Sequence, residues 1–351
     1  MTSNERVLNA CRFQRPDRIP VFDSFWSYPD SWRERLGDPA SLTDIAIWCP
    51  SEGAFSTREK TLKTEGGWIY AIDSWGRTVR SQPGCYFTET LRAPLEDGVD
   101  IDAVHFDSPE LDSRYLQGQA TLEEAAAVLE RDKQRHCVFG KTGGPYLRTC
   151  FVRGEVQFLM DMAGDESLAR ALAEKMARHL LACGTEAIRR WSLQETGIWI
   201  YDDMACNKGP MFSPRTFERV LLGAYRQMIN AYRAAGAKYV FLHSDGNIMP
   251  ILDMLVDAGI DGINPIETRT GMDMATIRRR FPRLILTGGM DNTDTLINGP
   301  LERIEKEARD IIDMGRDGGV VIGTHSISPE VPVEHFMAYR RTCETYGDFQ
   351  R

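Results

Sequence analysis

The chain has 351 residues, enough to bury a large core without disulfide staples, and its 42 % hydrophobic and 26 % charged residues exclude a disordered or low-complexity chain. Its 42 basic against 51 acidic side chains leave a net charge of −9 with no long basic stripe, so no nucleic-acid partner is expected. Residues 1–18 lack the apolar stretch of a secretion signal and no apolar run reaches spanning length, so a cytoplasmic protein free of the membrane is expected.

In chain order, the spacing predicts a short helix over 4–13, with Ser3 as its N-cap and Pro16 as part of its break. Residues 19–25 read as a first buried strand. From 27 to 110 the pattern is irregular and rich in aromatics. There, 69–79 and 85–90 read as short strands of an insertion, and one further strand of the main sheet is expected without a placed position. Beyond it, strands over 136–141, 198–201, 239–242, 262–265, 284–287 and 320–322 alternate with helices. The helices are predicted over 122–132, 155–162, 167–194, 214–235, 248–258, 273–280, 300–314 and 334–345. Ser213 caps the 214–235 helix and Pro214 takes its first position.

Such alternation implies parallel βαβ units, and the strand count suits an α/β fold of the (β/α)₈ TIM-barrel type. A single domain over 1–351 is expected, with an N-terminal insertion of short strands. The doubly wound alternative lacks a G-x-G-x-x-G after its first strand. The eight cysteines are scattered without a C-x-x-C pair, which argues against a zinc ribbon or a disulfide framework.

In a barrel the reactive groups come from the C-terminal ends of strands. Those ends carry Asp202 and Asp203, then His243 and Asp245, then Glu267, Asp291 and His325. In extended chain, residues i and i+2 point the same way, so His243 and Asp245 can reach one point. Together with a distant histidine they make a set for a divalent metal, zinc by default. The plainer reading is that His243 only hydrogen-bonds Asp245. For Asp202 and Asp203, one carboxyl in a closed pocket can stay protonated and act as an acid; the plainer reading is that one of the two caps a turn. Lys208 follows as a counter-charge, and Cys206 is either a ligand or a small buried residue. Phe25, Trp26 and Tyr28 either line an apolar pocket or belong to the core. His105, His136, His179 and His335 read as structural.

Several stretches resemble the uroporphyrinogen-decarboxylase superfamily. They are Asn4–Leu8 with Arg15–Val21, YDDMACNKGPMFSP (201–214), HSDGNIMPILDMLVDAGIDGINPIE (243–267), GGMD (288–291) and GTHSISPEVPVEH (323–335). The resemblance implies a barrel with its active site at the strand C-termini. True decarboxylases of that superfamily carry an arginine-rich R-Q-A-G-R-Y after the first strand; residues 22–28 read FDSFWSY, without arginine. The corrinoid-dependent methyltransferase branch uses zinc held by H-x-C and a second cysteine. His243 matches its histidine, Asp245 stands at the first cysteine, and His325 lies near the place of the second. The D-G-N that follows, with Glu267 and Gly271-Met272-Asp273, resembles a subgroup related to O-demethylases.

The resemblance therefore implies zinc at His243, Asp245 and His325, with Glu267 alongside. Nitrogen and oxygen ligands leave the metal a harder Lewis acid than thiolates do, which suits a methyl ether or alcohol. Asp202, Asp203 and Glu267 are the expected catalytic groups, and Phe25, Trp26, Tyr28, Lys208 and Asp291 the expected substrate-binding set. The expected reaction moves a methyl group from a small methylated, O-methyl substrate to the cobalt of a corrinoid (cobalamin) on a separate partner protein. A homodimer is also expected. Two rivals stand beside this reading: a metal-free decarboxylase centred on Asp203, and a non-catalytic binding barrel.

Overall fold

The apolar runs pair in parallel. The computed structural model describes residues 1–350 except Trp26, Pro29, 86–87 and 96–99. Strand β1 (Ile45–Trp48) is followed by four short strands, β2 (Lys60–Glu65), β3 (Trp68–Ile72), β4 (Thr78–Ser81) and β5 (Glu89–Arg92). Then come β6 (Cys137–Gly143), β7 (Gly197–Tyr201), the two-residue β8 (Ala205–Cys206) and β9 (Gly209–Pro210), β10 (Tyr239–His243), β11 (Gly262–Asn264), β12 (Ile285–Gly289) and β13 (Val320–Gly323). One curled sheet holds seven of them in the order β1, β6, β7, β10, β11, β12, β13, with every neighbouring pair parallel. Strands β2 to β5 form a separate antiparallel sheet, the expected insertion, and its hairpin replaces the single run predicted over 69–79.

The main-sheet strand expected inside the irregular stretch is β1. The strand expected over 19–25 is instead an extended segment with single parallel bridges, Val21 to Ile322 and Phe25 to Ile327. Phe22 N–H donates to the Ile322 carbonyl at 2.8 Å, and Asp44 N–H donates to the Val21 carbonyl at 2.8 Å. The segment thus stands between the two edge strands, β13 and β1. Its ladder stays short because Pro20 has no N–H, and because the Val21 N–H goes to the Asp44 carboxylate at 2.9 Å instead of to a strand.

Side-chain alternation sorts this sheet into two faces. The outward file of β7, Ile198 and Ile200, and that of β10, Val240 and Leu242, pack under the helices. These include Glu166–Arg190, Leu222–Ala234 and Leu301–Met314. The inward file holds Phe139, Trp199 and Phe241, with Trp199 stacked on Phe241 at 4.8 Å. The helix Ser3–Cys11 closes one end of that interior with Val7, Leu8 and Cys11. Its N-cap is Thr2, not Ser3: Thr2 accepts from Glu5 N–H while the Glu5 carboxylate accepts from Thr2 N–H. A helix over Pro145–Arg153, absent from the sequence prediction, follows β6 directly, with Pro145 in its first turn. Ser213 does cap the helical run that opens at Pro214 and is wound into a π-turn over Phe217–Leu221. All eight cysteines are free. Among the described residues no helix is long and apolar enough to cross a membrane.

Candidate metal centre

The inward file of β10 runs Tyr239, Phe241, His243, and two residues further it reaches Asp245. His243 therefore stands above the aromatic interior, at the C-terminal mouth of the sheet. Strand register sets its neighbours: His243 pairs with Tyr201 on β7 and with Asn264 on β11. The Tyr201 ring stacks on the imidazole at 4.2 Å, and Lys141 Nζ lies 4.2 Å from the ring centroid of the same tyrosine.

Asn264 fixes the imidazole's protonation. Its Nδ2 donates to the Thr287 carbonyl at 3.1 Å, which turns Oδ1 toward His243 Nδ1 at 2.6 Å. Nδ1 thus carries the proton, and Nε2 keeps its lone pair for the mouth. That atom lies 3.5 Å from Asp245 Oδ1 and 3.9 Å from Asp203 Oδ1.

On the far side of Asp245 stands His325, with Nδ1 at 3.6 Å from Asp245 Oδ1 and Nε2 at 3.6 Å from Glu267 Oε1. These separations exceed hydrogen-bond length. Asp245 Oδ1 and His325 Nε2 are both buried and have no hydrogen-bond partner. Glu267 accepts from Gly246 N–H at 2.5 Å, and Asp203 accepts from Asp245 N–H at 3.1 Å. Ligand atoms fall into two groups, each within 4.8 Å of one another: Asp203, His243 and Asp245, and Asp245, Glu267 and His325. The predicted trio of His243, Asp245 and His325 is brought together only through Asp245, which both histidines approach. Two residues with positive φ flank the donors, Ile266 at 63° before Glu267 and Ser326 at 54° after His325. For a β-branched isoleucine that conformation is strained, and strain of this kind concentrates at functional sites.

The titrations follow from burial and neighbours. Burial pushes the His243 pKa down, against the pull of Asp245 and Asp203, which favours the neutral ligand form. Burial also raises Asp245, partly offset by His325 and His243. For His325 burial works against the cation, but Glu267 and Asp245 outweigh it and the pKa is raised. For Glu267 burial acts upward, yet His325 and the Gly246 N–H together bring it below the usual carboxylate range.

The remaining predicted residues sit elsewhere. Asp202 shares the outward parity of Ile198 and Ile200 and is fully buried. Its carboxylate accepts from Tyr146 N–H at 3.0 Å, Leu147 N–H at 2.6 Å and the Tyr225 hydroxyl at 2.6 Å. It caps the Pro145–Arg153 helix, and a Cβ on Gly144 would lie 2.3 Å from its carboxylate, so only glycine fits there. The turn-capping alternative is the one its bonds match, and Asp202 faces away from the donors. Asp291 caps its own turn, accepting from Thr293, Asp294 and Thr295 N–H. Lys208 is exposed on the β8–β9 hairpin; Cys206, beside it, is also exposed, not buried, and its thiol donates to the Gly209 carbonyl at 3.4 Å. Phe25 and Tyr28 pack edge-on at 5.1 Å, and Phe25 meets Phe336 of the last helix at 5.6 Å, an aromatic cluster of the wall. Trp26 lies outside the described residues. His136, His179 and His335 bond the carbonyls of Thr43, Glu52 and Leu296. Sequence reasoning passed over Asn264, Tyr201 and Lys141, whose roles depend on strand register.

Comparison with known proteins adds a lineage. Two methylcobamide:CoM methyltransferases, both MtaA, come from Methanosarcina barkeri strain Fusaro and from Methanosarcina barkeri. They are 27 % identical over 136 residues and 28 % identical over 137 residues. Each match covers 39 % of this chain and 38 % of the relative, so the chain matches little more than a third of the length of these curated relatives. A solved methyltransferase from Methanosarcina mazei shares the fold over 99 % of both chains, with a TM-score of 0.66 at 16 % identity. The model of the family described as uroporphyrinogen decarboxylase (URO-D) matches residues 88–346, a stretch that holds every donor of the cluster. The chain belongs to the URO-D family.

Proposed function

We propose that this protein is a metal-assisted methyltransferase that moves a methyl group from a small O-methylated compound to the cobalt of a corrinoid on a separate protein. The observation that carries this reading is the nitrogen-and-oxygen donor cluster at the sheet mouth, with Asp245 Oδ1 and His325 Nε2 buried and unpartnered. Buried polar atoms without partners are rare, and a cation is what this pair lacks. The partial likeness to methylcobamide:CoM methyltransferases supports the same chemistry. With the extended segment 19–25 taken as an eighth stave, the sheet makes a (β/α)₈ barrel, and the cluster lies on its reactive face.

The donor set fits zinc, and Asp245 would hold it with His243 and Asp203 on one side or with His325 and Glu267 on the other. A zinc ion so held supplies Lewis acidity toward an ether or alcohol oxygen, and its nitrogen and oxygen donors suit that hard atom better than thiolates would. The chain's own groups do the rest. Asn264 keeps His243 Nε2 unprotonated. The Tyr201 ring and the aromatic interior beneath it exclude water from below. Asp203, 46 % exposed and 3.9 Å from His243, would orient the substrate or relay a proton from solvent to the departing oxygen. A metal-free decarboxylase centred on Asp203 is the rival reading, and it leaves the buried, unpartnered Asp245 Oδ1 and His325 Nε2 without a task.

Zinc-loaded protein incubated with cob(I)alamin and a panel of methyl ethers should yield methylcobalamin, followed by its absorbance. His243→Ala should lose that activity by at least a hundredfold while keeping its circular-dichroism spectrum. Full activity in this variant, or CO₂ release from a carboxylated compound without any corrinoid, would overturn the reading.

A further inference from the structure

The mouth of the sheet offers more donors than one tetrahedral ion takes. Asp203, His243, Asp245, Glu267 and His325 arrive from the ends of four strands, and their ligand atoms divide into two groups that share only Asp245. Neighbouring donors on one zinc ion, at bonds of about 2.1 Å, lie roughly 3.4 Å apart. Asp245 Oδ1 meets that spacing with His243 Nε2 on one side, at 3.5 Å; on the other, His325 turns Nδ1 to Asp245 Oδ1 and Nε2 to Glu267 Oε1, each at 3.6 Å, and one ligand atom from each of these three residues lies within 4.8 Å of the others. The two imidazoles do not meet it with each other. Neither group of ligand atoms within 4.8 Å of one another contains both rings, although both rings approach Asp245. One carboxylate oxygen, Asp245 Oδ1, between two separated imidazoles is the arrangement of a bridging ligand, because a carboxylate oxygen has two lone pairs and can face a cation on either side.

Charge points the same way. Glu267 has Arg269 at 3.6 Å. Asp203 and Asp245 have no lysine or arginine in ion-pair contact among the described residues; the basic nitrogens near them are those of the two histidines. The buried Asp245 Oδ1 and the buried His325 Nε2 are unpartnered. The first faces His243 and His325; the second faces Glu267.

We propose that the site takes two divalent cations bridged by Asp245, one held with Asp203 and His243, the other with Glu267 and His325. The proposal rests on the metal-assisted reading above and goes beyond its single ion. Apo-protein prepared by chelation is titrated with Zn²⁺ by calorimetry, and bound zinc is counted after dialysis. Wild type should take two equivalents. Asp203→Asn and Glu267→Gln should each take one, and Asp245→Asn should weaken both by at least tenfold. Circular dichroism of each near-isosteric variant checks that it is folded. Loaded with Co²⁺, wild type should give at two equivalents an electron-paramagnetic-resonance signal smaller than twice that at one, because bridged cobalt ions couple. One equivalent in wild type, or two retained in Asp203→Asn, overturns the pair and leaves the single-metal reading standing. No bound zinc at all overturns both.

Discussion

His243 is held on two sides by neighbours that strand register delivers, Tyr201 against one ring face and Asn264 at Nδ1. Removing the Asn264 acceptor frees the ring to protonate at Nε2. Asn264→Leu should therefore weaken zinc binding by about 10- to 100-fold, while Asn264→Asp, which keeps an acceptor, should retain more of it; competition with a chromophoric chelator measures both. Asp202 supports a different expectation. Burial, only partly offset by Tyr225 and the two backbone donors, pushes its pKa up from 3.8 to about 6. Between those values the folded chain holds a proton that the unfolded chain has released. The stabilisation is complete below pH 3.8 and is lost as the pH rises through about 6. Asp23, also raised to about 6 by burial, shares that window. Urea unfolding of Asp202→Asn should show a shallower fall in stability between pH 4 and 6 than wild type, and an unchanged slope would refute the assignment.

At the scale of the element, the turn after β10 aims the donors. Gly246 sits at a φ of 79°, and a Cβ there would lie 2.7 Å from the backbone of Ala205 on β8. The left-handed conformation alone costs a non-glycine residue about 1–2 kcal/mol, and here the clash is with main chain. Gly246→Ala should lower unfolding stability by about 2 kcal/mol or more. It should also weaken zinc binding, since the Gly246 N–H anchors Glu267. Denaturant midpoints and zinc titration report the two effects separately.

Across the whole molecule, the segment that joins the sheet's edges is pinned by one buried carboxylate. Asp23 is 4 % exposed and accepts from Thr324 N–H and from the Tyr339 hydroxyl, both at 3.1 Å, with Arg340 Nη1 at 3.5 Å. It ties the extended segment 19–25 to the last helix and to the loop that presents His325. Asp23→Ala leaves the buried Arg340 only the exposed Glu344 at 4.0 Å, a change worth up to about 3–5 kcal/mol, and should lower the urea midpoint accordingly.

Periodicity alone placed most of the helices and parallel strands, because each element must hide one apolar face from water and does so with its own period. It also brought the five donors into a short roll of strand-end acids and histidines. The sequence leaves open which of Asp202 and Asp203 faces the mouth; the structure shows that Asp202 continues the outward apolar file of Ile198 and Ile200. Tertiary structure decided the rest. Which residues face His243 depends on register between strands far apart in the chain, and no local pattern encodes it. The helix behind Gly144 was hidden because a Gly-Gly-Pro run reads as a turn until Asp202 arrives from another strand to cap it. The two-sided setting of Asp245 exists only once β10, β11, β12 and β13 lie in order in one sheet. Local sequence dictates which face a side chain takes, and packing dictates whom it meets there.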